Sequence, residues 1–234
     1  MPKTWTVVDF ILVVLGGFLG AGVFVALSLL WDQDELLLVL GLVGQYLGHL
    51  GVLWLLVRTK TDPDLGFSIE AGDLRYLGLG LLLQLVLAVL FLPLTEFFFP
   101  EGESVQEVGS ALAGLESTAA RVAAVVIAAV VAPVTEELTF RGVLLKSMAN
   151  RSRRAIVVVT ALVFAAFHII GLDPSRLLAA SAVVLPQLFI VGVVLAWVTV
   201  RTNRLGPAIF MHSGFNLLAA IVLLVPPELL EQVS

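Results

Sequence analysis

The sequence predicts an all-α polytopic membrane protein with about seven transmembrane helices, one or two short interfacial helices and a cytoplasmic N-terminus. Three observations carry that expectation. The 234 residues are 59% hydrophobic and only 13% charged, with a mean hydropathy of +1.06, whereas an average soluble domain carries roughly a quarter charged residues. Charges are missing from seven long runs. Between those runs, Lys and Arg are abundant in every second connection and scarce in the others.

Thirteen Lys and Arg with eighteen Asp and Glu are too few to coat a soluble protein of this size. The same composition excludes a disordered chain, which needs low hydrophobicity and high charge. The absence of Cys excludes a disulfide framework, thiolate zinc sites and cysteine catalysis. A net charge of −5 argues against nucleic-acid binding.

The charge-free runs are 10–31, 36–57, 76–95, 122–135, 155–172, 177–200 and 205–227. A helix needs roughly 20 apolar residues to cross the hydrocarbon core. The first run is too long for a signal-peptide core of roughly 7–15 residues and has no cleavage site after it, so it reads as a retained helix. The fourth is short alone, but its apolar pattern resumes after Arg141 as far as Leu145, giving a span over 119–149. One set of connections, the N-terminus, 58–75, 146–154 and 201–204, holds ten Lys and Arg; the other set holds only Arg121 and Arg176. Charge bias of this kind puts the basic set, and the N-terminus, on the cytoplasmic side. Trp5, Trp31, Trp54 and Trp197 fall near span ends, as an aromatic belt requires. Residues 101–117 and 66–75 are the candidate interfacial helices. Everything reads as one membrane domain, 1–234, with N-terminal helices over about 6–97 and chemistry-bearing helices over about 119–225.

Three charges have no loop to occupy: Glu136, Glu137 and Arg141, all inside the fourth span. A charge at the bilayer centre costs roughly 2.5–3.5 kcal/mol, so these side chains must face protein or water. Glu137 and Arg141 stand four apart with the acid nearer the N-terminus, the favourable order for an ion pair. Glu136 is rotated by about 100° and needs another partner. His168 in the fifth span, and His212 with Asn216 one turn later in the seventh, reach compatible depths, roughly 10–20 Å from the cytoplasmic ends of their helices. They are expected to share a polar chamber with Glu136, reached from the cytoplasmic side. Carboxylate and imidazole can together activate a water, and an imidazole or amide can hold an oxyanion. The same Glu136, His168 and His212 could instead ligate Zn²⁺ with water in the fourth position, although the single-helix HExxH signature is absent. Pro133, one turn before Glu136, frees the carbonyl of Ala129 in an α-helical register. His49, with Gln45 one turn earlier, reads as a packing histidine.

The segment Ala132-Pro133-Val134-Thr135-Glu136-Glu137-Leu138-Thr139-Phe140-Arg141-Gly142 resembles the EExxxR motif of the CPBP family, also called the CAAX prenyl protease or Abi family. Phe164 to His168 resembles its FxxxH motif and His212 to Asn216 its HxxxN motif. The resemblance covers about 119–220. It implies an intramembrane endopeptidase in the cell membrane that acts on a membrane-associated, in some members prenylated, protein or peptide. It further implies Glu136 and His168 as water activators, His212 and Asn216 as oxyanion holders, and Glu137, Arg141 and Phe164 as supporting residues. No cofactor is favoured; zinc is the alternative. Two other readings stand beside it: a non-proteolytic scaffold or bacteriocin-immunity-type protein that uses the polar cluster for folding, and a transporter, which intramembrane acids allow but the absence of repeat symmetry disfavours.

Overall fold

The structure is a computed structural model that describes residues 4–30, 34–100, 114, 115 and 117–222. Six helical segments in it are long and apolar enough to cross a membrane. They are α1 (Val7–Ser28), α2 (Asp34–Val57), α3 (Leu74–Phe98), α4 (Thr118–Ser147), α5 (Arg153–Phe167, extended by a 3₁₀ turn His168–Gly171) and α6 (Leu177–Thr202). A seventh, α7, covers Gly206–Val222. These correspond one for one to the seven charge-free runs, and the protein is an all-α, multi-pass membrane protein. The proposed interfacial helix over 101–117 falls almost wholly outside the described residues, as does Trp31. The second candidate, 66–75, is not a helix: residues 63–70 are irregular, and only a 3₁₀ turn, Ala71–Asp73, leads into α3. Phe67, Ile69 and Leu74 are nonetheless exposed, as a membrane-surface segment would be.

Alternate crossing of the bilayer requires the four basic connections to meet at one end of the bundle, and they do. Lys60 Nζ lies 2.6 Å from Asp9 Oδ2, the carboxylate that also closes the capping box with Thr6 at the start of α1. Lys146 pairs with Asp64 at 3.6 Å, and Arg204 forms a two-pronged contact with Asp73, 3.0 Å on each arm. Asn203 ends α6 in the left-handed region (φ 54°), and the Leu205 N–H then donates to Gly66 O at 2.8 Å. Three tryptophans sit at this basic end under cations: Trp5 under Lys60, Trp54 under Arg58 and Trp197 under Arg201. At the other end Arg176 donates to the Phe98 carbonyl and lies over the Phe99 ring.

The lateral packing relies on small residues, because lipid supplies no hydrophobic drive between helices. Gly20 and Gly44 bring α1 and α2 into backbone contact, so that a Cβ on either would strike the other's carbonyl. Gly80 and Gly214 do the same for α3 and α7, meeting the carbonyls of Met211 and Leu77. His49 fits the notch left by Gly17, with its Nδ1–H donated to Gln45 O at 2.9 Å, which is the packing role expected of it.

The fourth helix lies among the rest and is not a regular α-helix. Residues Ile127–Val131 and Leu138–Leu144 are π-helical, with α-helical Ala132–Glu137 between them. Such wide turns free backbone groups that a neighbouring helix must satisfy. The first ends at Pro133, which has no N–H to donate. In the observed i→i+5 register the Ala132 N–H goes to Ile127 O, so Ala128 is the residue whose carbonyl would have needed Pro133. This corrects the α-register expectation of Ala129.

Candidate active site

Two adjacent carboxylates on α4 meet opposite fates. Glu137 and Arg141 are wholly buried, with side-chain exposures of 0%, whereas Glu136 keeps 16%. Arg141 Nη1 donates to Glu137 Oε1 at 2.9 Å and Nη2 to the Gly192 carbonyl of α6 at 3.2 Å. Its guanidinium also lies 4.5 Å from the centroid of Phe164. Glu137 Oε1 accepts a second bond, from His212 Nδ1 at 3.0 Å. Arg141 Nε, Glu137 Oε2 and Glu136 Oε2 are left without partners among the described residues.

His212 is the hinge of this cluster. An ionised Glu137 accepts only, so Nδ1 carries the proton, and the other nitrogen, Nε2, lies 3.8 Å from Glu136 Oε2. That distance is too long for a hydrogen bond. The ring therefore stands between the two carboxylates, bonded to Glu137 and facing Glu136. In the neutral ring Nε2 offers a lone pair; it donates only as imidazolium.

His168 ends α5. Its Nδ1–H donates to Phe164 O at 2.8 Å, which selects the tautomer with a free lone pair on Nε2. Phe164 is fully buried and packs edge-on to both His168 and His212, with centroids 4.7 and 5.7 Å away, so one ring orients both imidazoles. Asn216 Nδ2 donates to Ala128 O at 2.9 Å. The asparagine thus fills the vacancy made by Pro133 and the π-turn, and this bond fixes which way its amide points.

Glu136, His168 and Asn216 line one cavity of about 320 Å³. His212 lies just behind its wall at 3% exposure. The remaining walls are mostly apolar: Phe18 of α1, Leu42 of α2, Ile127 of α4, and Phe167 and Ile170 of α5. Gln45 and Tyr46 of α2 add polar groups, and the Glu136 carboxylate acts electrostatically on Tyr46. Sequence reasoning missed this contribution from the first two helices. Its one available signal was the pair of polar residues, Gln45 and His49, in an otherwise apolar span.

The chamber was expected to open toward the cytoplasmic, basic side. The cavity instead occupies the half of the bundle away from the basic end, as Leu42, Ala124, Ile170 and Gly171 show by their places along α2, α4 and α5. The physical reason is a partition between the chamber and the basic end, where Leu65 and Leu205 pack on Gly142 beneath the Lys146–Asp64 and Arg204–Asp73 pairs.

Residues 118–218, the span that holds all of these site residues except the α1 and α2 walls, match the family model for the type II CAAX prenyl endopeptidase Rce1-like domain. The match makes that segment, less than half of the chain, similar to an Rce1-like domain. No curated protein and no solved structure matches the chain. The Rce1-like domain supports a protease activity of the CAAX type within the membrane, and every acidic, basic and imidazole group of the cluster lies inside it. For zinc, the fit is poor. Among the described residues no three His, Cys, Asp or Glu side chains converge on a point a metal could occupy. His212 is turned to Glu137 instead.

Proposed function

We propose that the protein is an intramembrane endopeptidase that hydrolyses a peptide bond of a membrane-associated, lipidated or strongly apolar protein segment, using water activated by Glu136 and His168. The observation that carries this reading is the placing of Glu136, His168 and Asn216 on one largely apolar cavity. A water between Glu136 and the His168 Nε2 lone pair gives up a proton as its oxygen attacks the scissile carbonyl. The developing oxyanion takes the second N–H of Asn216, the first being held by Ala128 O. His212 joins it through Nε2–H when the ring has taken up a further proton from solvent before the attack, a proton it keeps through the turnover. The proton taken from water then passes to the leaving amine, and the C–N bond breaks. The apolar walls exclude bulk water and suit a lipid chain or apolar side chains.

The test is cleavage of a lipidated peptide by purified protein, with Glu136→Gln and His168→Ala as variants. Loss of at least a hundredfold in both, with each variant still folded, is the expected result. Undiminished cleavage in both sinks the mechanism. A scaffold reading has one observation in its favour, the wholly buried Glu137–Arg141–Gly192 network, which acts on folding. Full biological rescue by folded Glu136→Gln protein decides for it.

A further inference from the structure

A second cavity, of about 460 Å³, lies at the basic end of the bundle, where α4, α5 and α6 meet the connection before α3 and the turn before α7. Arg141, Lys146, Arg151, Arg153 and Arg204 line it, and no Asp or Glu does. Three of the five cations have carboxylate partners: Arg141 with Glu137, Lys146 with Asp64, and Arg204 with Asp73 and Glu70. The side chains of Arg151 and Arg153 have no hydrogen-bond or ion-pair partner among the described residues. They also stand where a cation is least welcome. Ser152 caps α5 through its Oγ, so Arg153 is the first helical residue, and the first turn contains no acid. A helix N-terminus carries partial positive charge and favours anions. Two unpaired arginines at that place raise the local potential with nothing to absorb it. Arg141, fully buried, forms part of the inner lining and adds its charge to that potential.

Beside these cations the lining is mostly apolar, with Leu65, Leu145, Ile156, Val200 and Leu205, and has two neutral polar side chains, Thr199 and Asn203. Cations beside apolar side chains at the end of transmembrane helices match the boundary between a phosphate headgroup and its acyl chains. We infer that this cavity binds the phosphate of an anionic phospholipid headgroup, held by Arg151, Arg153 and the N-terminal amides of α5, with the upper acyl chain against Ile156 and Val200. The site is separate from the hydrolytic cavity, though Arg141 borders it on one side and holds Glu137 on the other. A bound anionic lipid thereby touches the back of the catalytic cluster.

The experiment uses the full chain in neutral detergent–phosphatidylcholine micelles. Binding of phosphatidylglycerol is measured by native mass spectrometry and by the rise in unfolding temperature. Inorganic phosphate serves as the soluble arm. Arg151→Gln/Arg153→Gln is expected to weaken phosphatidylglycerol binding at least tenfold. Ala149→Phe, which fills the cavity without changing charge, is expected to weaken it comparably. Arg58→Gln/Arg75→Gln removes the same charge from the same end outside the cavity and is expected to change binding less than twofold. Equal loss in this last variant shows general attraction to the basic end and overturns the inference. So does binding unaffected by Ala149→Phe, and so does inorganic phosphate that binds as tightly as phosphatidylglycerol and displaces it. All the substituted side chains are exposed or lie on cavity walls, and an unchanged unfolding temperature in phosphatidylcholine alone confirms that each variant is folded.

Discussion

Removing Arg141 while leaving Glu137 in place should be among the most damaging single changes available to this protein. Arg141→Met keeps most of the side-chain volume but deletes the bonds to Glu137 Oε1 and Gly192 O and the contact with Phe164. Glu137, at 0% exposure, is then left with only the His212 Nδ1–H as donor. Breaking one partner of a buried pair costs about 3–5 kcal/mol. Glu137→Leu should cost a similar amount, since it strands the guanidinium with one carbonyl. The double variant should not cost the sum. With both charges gone, the unpaired groups are the neutral His212 Nδ1–H and the Gly192 carbonyl, at about 1–3 kcal/mol each. At the middle of these ranges the two effects couple by about 4 kcal/mol, well beyond the few tenths that separate independent sites. Reversible denaturant titration in mixed micelles, followed by tryptophan fluorescence, measures all three variants. Single losses under about 1 kcal/mol, or a double variant that simply adds, would refute a tightly coupled buried pair.

Further tests address other parts of the site and its frame. Asn216→Leu should leave Ala128 O without a donor and destabilise by about 1–3 kcal/mol; adding Pro133→Ala, which restores an N–H to α4, should recover part of that loss in the same titration. His212→Gln should stay close to wild type in stability, because an amide can still donate to Glu137, but should lose hydrolysis; His212→Leu should lose both, and equal stability of the two would contradict the bond to Glu137. Gly80→Ala or Gly214→Ala should separate α3 from α7 at a cost of about 1–3 kcal/mol, the usual range for overpacking, read as a lower unfolding midpoint. The Gly66 N–H, and then the Lys146 charge, hold the Asp64 carboxyl below the usual carboxylate range. The stability it lends the basic end is therefore present at neutral pH and lost as pH falls through that lowered value. Asp64→Asn should remove this part of the acid sensitivity between about pH 5 and 3 in a thermal-melt series.

The helices were legible because the bilayer sets a strict rule. Run length and the bias of Lys and Arg are first-order consequences of hydrocarbon thickness and surface potential, so all seven segments and the gathering of basic loops at one end follow from counting residues. The Glu137–Arg141 pair was legible for the same reason as any i,i+4 pair on a helix. What was not legible depended on departures from regular geometry. Nothing in Ile127–Val131 announces a π-turn, so the orphan carbonyl was assigned one residue late. The bond from His212 to Glu137, with Glu136 only faced, depends on the rotation of α7 against α4, which close contacts such as Gly80 against Met211 O help to set. The position of the cavity away from the basic end depends on the partition beneath the loop pairs, and charge counting assigns those loops to an end without showing that partition.

The contrast between Glu136 and Glu137 shows how one helix can carry both a folding element and, on the proposed function, a reactive group. The residues are adjacent, so they enter the same membrane depth and face the same desolvation. About 100° of rotation separates them. Glu137 points at Arg141 and His212 and receives two charge-assisted or polar donors with no exposure. Glu136 lines the cavity, and its Oε2 has no hydrogen-bond donor among the described residues. Were both satisfied, the cluster would be inert; were neither, the helix would carry two uncompensated charges into the bilayer. His212 makes the division workable because a single ring presents Nδ1 to the satisfied acid and Nε2 to the unsatisfied one. The satisfied acid fixes the ring's tautomer and orientation, and the ring then offers the unsatisfied acid a nitrogen that can take up a proton before the attack. Stability should therefore follow Glu137, and hydrolysis should follow Glu136.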